Sequence, residues 1–216
     1  VGDGSSTDRV FPTPIAPGRS WKLVDAYDSH SVGIDSSGAV FSWGNNDRGQ
    51  LGDGEVFAML DDMPPTRIGL DTDWTAVEGG LDFLTAMKSD GSLWASGAGD
   101  VGQLGDGSAS DRSMWVEVGS FVNWAAGDEH VLALKDDGTL WVWGEGTIGR
   151  FGTDLFESAS SPRQSGIEND WESLAANNLC SYAIKNDGSL WGWGSIAYGA
   201  LGRGDGIYLG GYEDAP

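Results

Sequence analysis

Asp137-Gly138-Thr139-Leu140-Trp141-Val142-Trp143-Gly144 reads as a tight turn, a short strand and a glycine stop. Asp-Gly favours the turn because its backbone angles are cheap only for glycine and small polar residues. Leu140 and Val142 alternate with Trp141 and Trp143, the period-two signature of a strand. The same phrase returns as Asp187-Gly188-Ser189-Leu190-Trp191-Gly192-Trp193-Gly194 and as Asp90-Gly91-Ser92-Leu93-Trp94-Ala95-Ser96-Gly97. A looser copy is Ser37-Gly38-Ala39-Val40-Phe41-Ser42-Trp43-Gly44.

The turn glycines Gly38, Gly91, Gly138 and Gly188 set the period, at intervals of 53, 47 and 50 residues. Seventeen positions before each stands an aromatic: Trp21, Trp74, Phe121 and Trp171. After each stop glycine comes a Gly-x-(Leu or Phe)-Gly element, at Gly49–Gly52, Gly102–Gly105, Gly149–Gly152 and Gly199–Gly202. Length varies only in the loops beyond it, as repeat arrays do. Units of about fifty residues with several short strands predict an all-β fold of β-propeller blades, each of four antiparallel strands. A solenoid of β-turns is the rival, but its rungs are usually shorter. In the third unit the strands are expected at 121–126, 130–135 and 140–143, with a fourth near 165–167. The whole chain reads as one repeat domain, with units at 21–73, 74–120, 121–170 and 171–216 and a tail of a preceding repeat at 1–20.

The stretch GDEHVLALKDDGTLWVWGEGTIGRFG (127–152) resembles the repeat of the regulator-of-chromosome-condensation family. LGDGSASDRSMWVEV (104–118) is similar to the repeat-to-repeat connection of its bacterial members. The resemblance implies a β-propeller, typically closed by seven blades, that serves as a protein-binding platform. It includes a nucleotide exchange factor, ubiquitin-ligase domains and a secreted inhibitor of β-lactamases, so it implies no single reaction. Four units are few for such a ring, and Val1-Gly2-Asp3-Gly4 matches the middle of a unit, Leu51-Gly52-Asp53-Gly54. The expectation is therefore a ring completed by further sequence, or by partner or sister chains, since open strand edges recruit other chains.

The 33 acidic against 12 basic side chains give a net charge of −21. Nucleic acid is excluded as a natural partner, because phosphate binding rests on Lys and Arg. Acidity suits solubility or a basic partner surface. The single cysteine, Cys180, rules out an intrachain disulfide framework. No apolar run nears the length of a membrane span, so membrane insertion is not expected. Localisation is barely constrained; an extracellular, cell-surface or virion setting is favoured.

Chemistry-bearing motifs give way to the repeat. His30 and His130 each lie eight residues before a turn glycine, where the other units place Phe83 and Cys180. A position that accepts His, Phe and Cys is a packing position, not a general base or metal ligand. Gly97 to Gly102 and Gly144 to Gly149 match G-x-G-x-x-G, but a dinucleotide site needs a helix after the glycines and another turn follows instead. Asp3, Asp8, Asp106 and Asp111, with Arg9 and Arg112, sit at matched positions in two connections. Their spacing is not that of an EF-hand loop, and Asp-Arg pairing or turn capping accounts for them. No Ser-His-Asp set or nucleophile elbow stands out. No catalytic, cofactor or metal residue is therefore assigned and no cofactor is expected. The eleven tryptophans are read mainly as packing between blades, with a carbohydrate platform or glycosidase as the sharper alternative.

The loops between units carry the functional signal. Phe57, Met59, Leu60, Asp61 and Asp62 lie in one; Leu155 and Phe156 lie in the next; Ile207, Tyr208, Leu209 and Tyr212 lie in the last. No counterparts in other repeats explain these apolar side chains as blade core. Aromatic anchors with an acidic rim suit recognition of a protein partner. The reading is a non-enzymatic protein-binding or structural module. A virion or cell-surface attachment component and a secreted enzyme-inhibitor-like propeller are its variants.

Overall fold

The computed structural model describes residues 2–57, 63–154, 156–195, 197, 200–202 and 212–213. It is all β: four four-stranded antiparallel sheets, each a meander in chain order. The first sheet holds β1 (Trp21–Tyr27), β2 (His30–Asp35), β3 (Val40–Gly44) and β4 (Thr66–Arg67). The second holds β5 (Trp74–Gly79), β6 (Phe83–Lys88), β7 (Ser92–Gly97) and β8 (Arg112–Ser120). The third holds β9 (Asn123–Ala126), β10 (His130–Leu134), β11 (Leu140–Gly144) and β12 (Ala159–Gln164). The fourth holds β13 (Trp171–Ala176), β14 (Cys180–Lys185), β15 (Leu190–Ser195) and β16 (Tyr212–Glu213).

The fourth strand of the third sheet is thus 159–164, not 165–167 as the sequence suggested. ASSPRQ lacks apolar alternation, and a proline is tolerated there because β12 pairs on one side only. Ser165 instead donates its Oγ to the Phe151 carbonyl oxygen, at 2.8 Å.

The Asp-Gly phrase closes each β-hairpin through a short relay. Gly138 N–H donates to the Lys135 carbonyl oxygen at 3.0 Å. The Asp137 carboxylate accepts from both the amide and the hydroxyl of Thr139. The Thr139 hydroxyl in turn accepts from the Trp141 indole N–H at 2.9 Å. Ser92 with Trp94, and Ser189 with Trp191, repeat the last step. Each such bond contributes about 1 kcal/mol, and all partners lie within a few residues. A cation covers the same end: Lys88 lies over Trp74 and Trp94, Lys135 over Trp141, and Lys185 over Trp171 and Trp191. In the first sheet that lysine position is Asp35, and Arg19 compensates by pairing with it at 2.7 Å and stacking on Phe41.

The tryptophans do more than fill gaps between sheets. Trp21 packs against Phe41 and Trp43, Phe121 against Trp143, and Trp171 against Trp191 and Trp193, each within a single sheet. Trp74 has both roles, since it also joins a buried cluster with Val32, Ile34, Val40 and Ile68 of the first sheet and Val77, Leu84 and Ala86 of its own.

The chain divides into two compact units. One is Val1–Gly99 with Ser110–Gly119, carrying the first two sheets; the other is Asp100–Ala109 with Ser120–Pro216, carrying the last two. The split follows from the repeat: a connection docks on the following sheet before its chain returns as the fourth strand of its own. Within the second unit, the Trp143 indole donates to the Gln103 carbonyl oxygen at 3.0 Å. Trp193 likewise donates to the Arg150 carbonyl oxygen at 2.9 Å. Gly152 is required beneath it, because a Cβ would lie 2.9 Å from the Trp193 indole nitrogen.

Candidate partner-binding loops

Every sheet has two ends. One carries the Asp-Gly turns; the other carries the first hairpin turn and the long loop after the third strand. A repeated backbone bond ties these last two together: Asn45 N–H to Ser29, Ala98 to Asp82, Glu145 to Glu129 and Ser195 to Leu179, at 2.8–3.0 Å. The loops singled out from the sequence therefore emerge beside the first hairpin turn.

In the first unit, Phe57 is half-buried and bridged to Asn46, with its N–H donating to the Asn46 carbonyl oxygen at 3.1 Å. Local packing accounts for this side chain in part. Its neighbour Val56 is exposed. So is Met114 at the start of β8, which is bridged to Asp53 three residues before Val56. Gly54 N–H donates to the Ser113 carbonyl oxygen at 2.7 Å, fixing loop and strand side by side. The rim is polar. Arg48 forms a two-pronged contact with the Asp111 carboxylate at 2.6 and 2.9 Å, and Gly99 N–H adds a third bond. The Arg48 guanidinium holds the Asp111 carboxyl below the usual range. For Asp111, the Asp-Arg pairing expected from the sequence is made with Arg48. In the matched connection, Asp3 does pair with Arg9 and caps Ser5. Asp106 caps Ser108.

Val56 and Met114 were not among the residues singled out from the sequence, because Val56 is a lone aliphatic beside Phe57 and Met114 lies among small and polar residues. A signal existed. Met114 occupies the position of Phe11 when the two connections are aligned on Asp3 and Asp106, and both are exposed. In the second unit Phe156 is exposed. Met59, Leu60, Asp61, Asp62, Leu155, Ile207, Tyr208 and Leu209 lie outside the described residues; Tyr212 enters only as backbone of β16.

The most polar interior cluster lies under the second unit's loop. Arg150 fills the position of Gln50 and Gln103 and is buried. Its guanidinium meets Glu145, approaches Glu129 at 3.8 Å, and donates to the Asn178 carbonyl oxygen at 3.1 Å. His130 Nε2 is 2.9 Å from Ser181 Oγ, and that hydroxyl donates to the Arg150 carbonyl oxygen at 2.9 Å. Burial pushes the His130 pKa down to about 3. Burial also raises the Asp128 carboxyl and the Cys180 thiol. A Ser-His contact went unnoticed in the sequence because its members are 51 residues apart. Both side chains are fully buried, and His130 Nδ1 has no hydrogen-bond partner. Among the described residues no carboxylate bonds His130 Nδ1, and the buried pair joins β10 to β14. His30 repeats the arrangement against the Phe83 carbonyl oxygen at 3.3 Å.

Comparison with known proteins agrees with this geometry. Models of the Regulator of chromosome condensation (RCC1) repeat match residues 21–50 and 122–149, and residues 37–87. The chain is 35% identical over 118 residues to the ultraviolet-B receptor UVR8 of Arabidopsis thaliana, covering 52% of this chain and 26% of the receptor. It is 36% identical over 84 residues to the human regulator of chromosome condensation, covering 38% and 20%. The structure of Prp20p from Saccharomyces cerevisiae superimposes with a TM-score of 0.77 at 21% identity, over 94% of this chain and 51% of that one. The likeness establishes the β-propeller fold. The chain spans about a quarter of the plant receptor and about half of Prp20p.

Proposed function

The chain belongs to the regulator of chromosome condensation repeat family, and from that premise we propose that it is a non-enzymatic, protein-binding β-propeller module that holds its partner with the loops after its third strands. The observation that carries the reading is the exposure of Val56 and Met114 on two segments held together by the Asp53–Met114 bridge and the Gly54–Ser113 backbone bond, with the Arg48–Asp111 pair beside them. Apolar anchors inside a polar rim are the anatomy of a protein interface. Support also comes from Prp20p, whose binding properties towards Gsp1p and histones accompany its structure. A net charge of −21 favours a partner with a basic contact surface and an association rate that falls with salt.

Affinity capture with the intact chain, followed by titration of the captured protein, tests this. Two variants decide it: Met114→Ser, and Phe57, Met59 and Leu60 changed together to Ser. Each is expected to weaken binding by about tenfold or more while the far-ultraviolet spectrum stays unchanged. Wild-type affinity in both variants overturns the loop assignment.

A further inference from the structure

The outer strand of the second sheet, β8, differs from β4 and β12. It has β7 as its neighbour on one side and ends the sheet on the other. An outer strand presents a row of unpaired N–H and C=O groups, and proteins guard such edges with shortness, proline or charge. β4 is two residues long and follows Pro64-Pro65 directly. β12 is six residues long and carries Pro162. β8 runs nine residues, RSMWVEVGS, with no proline. It lies in the interior of the sequence, between β7 and β9, and its free side is the edge of a sheet rather than a face.

Only the start of β8 is engaged from outside its sheet. Asp53 bridges to Met114, and Gly54 N–H donates to the Ser113 carbonyl oxygen at 2.7 Å. Among the described residues, no backbone bond from outside the sheet reaches Trp115 to Ser120. This stretch is held from within, since the Trp115 ring packs on Trp74 at 5.6 Å between centroids. Val116 and Val118 are half-buried, Glu117 and Ser120 are exposed, and Glu117 is the one charged side chain from 115 to 120.

We propose that the edge of β8 from Trp115 to Ser120 receives an extended, basic segment of the protein partner, which adds as a further strand to the second sheet. Main-chain bonds supply the affinity in this mode, and alternate side chains supply the selectivity. Opposite charges across neighbouring strands attract, so the segment places Lys or Arg opposite Glu117 and alternates it with apolar residues. The net charge of −21 favours the same sign of partner. Continuity fixes the occupant: β8 contains Met114, so a partner seated on Val56 and Met114 already lies at the head of this edge. The inference rests on the reading of the chain as a protein-binding module and adds how the partner's backbone is held.

The test uses the intact chain and a soluble peptide of alternating Lys and Val. Its control is the same peptide N-methylated at every residue, which keeps the charge but cannot form strand bonds. Hydrogen exchange should show the amides of 115–120 protected by the first peptide, and titration should show the second binding at least tenfold more weakly. Glu117→Lys should weaken the first peptide about fivefold. Asp136→Lys, the same charge change at an exposed turn residue, should not. Equal affinity for the two peptides, protection that spares β8, or equal losses in the two variants overturns the proposal. Protection of β8 that rises with protein concentration before any peptide is added also overturns it, because a second copy then holds the edge. Unchanged near-ultraviolet spectra show that the variants are folded. The loop reading fails separately: its variants are titrated with the captured protein, and loss of binding in Met114→Ser stands whether or not the peptide protects β8.

Discussion

Ser96 Oγ donates to the carbonyl oxygen of Gln50 across 3.1 Å, in the position where Trp143 and Trp193 use an indole N–H for the same bond. The hydroxyl keeps the bond and surrenders the ring. Trp115, from β8, reaches into the vacated region: a Cβ on Gly52 would lie 2.6 Å from its indole nitrogen and 3.0 Å from Ser96 Oγ. Its ring packs on Trp74 at 5.6 Å between centroids. The exchange is incomplete, because the Trp115 indole nitrogen is buried with no hydrogen-bond partner.

Trp115→Ala should therefore destabilise the chain by about 2–4 kcal/mol, the range for losing a large, partly buried ring. Ser96→Trp alone should also destabilise, since two rings then compete for one volume. Combining them should recover part of the loss. Urea unfolding of the three variants gives the coupling; strict additivity would show that Ser96 and Trp115 do not share a site.

His130 makes stability acid-sensitive. Its folded pKa is about 3, below the ordinary 6.5, so the unfolded chain binds a proton between those values that the native chain does not. The stabilisation from the neutral ring is complete above about pH 6.5 and is lost as pH falls towards 3. His130→Phe should flatten that limb, because the second sheet accommodates Phe83 at the same position against Gly80, as His130 lies against Gly127. His30, shifted in the same direction by burial, leaves a residual slope. Unfolding midpoints across pH 4–7 check this; identical slopes in wild type and variant would contradict it.

The turn glycines are not equivalent. Gly138 and Gly188 share positive φ values of 79° and 82°. A Cβ on Gly138 would lie 2.1 Å from the Asn169 carbonyl oxygen, whereas one on Gly188 would meet nothing within 4 Å. Gly188→Ala should cost about 1 kcal/mol from backbone strain alone. Gly138→Ala should cost distinctly more, because the segment leading into β13 has to move. Chemical denaturation measures the difference, and equal losses would refute it.

The hairpins were legible because their determinants are local. Asp137, Thr139 and Trp141 find one another within four residues, so composition and spacing suffice. The packing role of His30 and His130 was legible by comparing repeats. The fourth strand of the third sheet was not, since ASSPRQ has no alternation and pairs only because β11 is already in place. Among the loop anchors, Phe57 and Phe156 stood out as apolar residues without counterparts. Met114 escaped because its exposure depends on the bridge to Asp53, made by a segment sixty-one residues away.

Sequence alone determined the repeat, the turns, the strand phase and the acidic surface, all set by backbone preference and side-chain chemistry over a few residues. Tertiary structure alone decided which copies of a repeated residue are covered. Leu140 and Leu190 follow nearly the same turn and face nearly the same strand, yet one is buried and the other exposed. Burial belongs to the packing of neighbouring sheets rather than to the residue, and no local pattern encodes it.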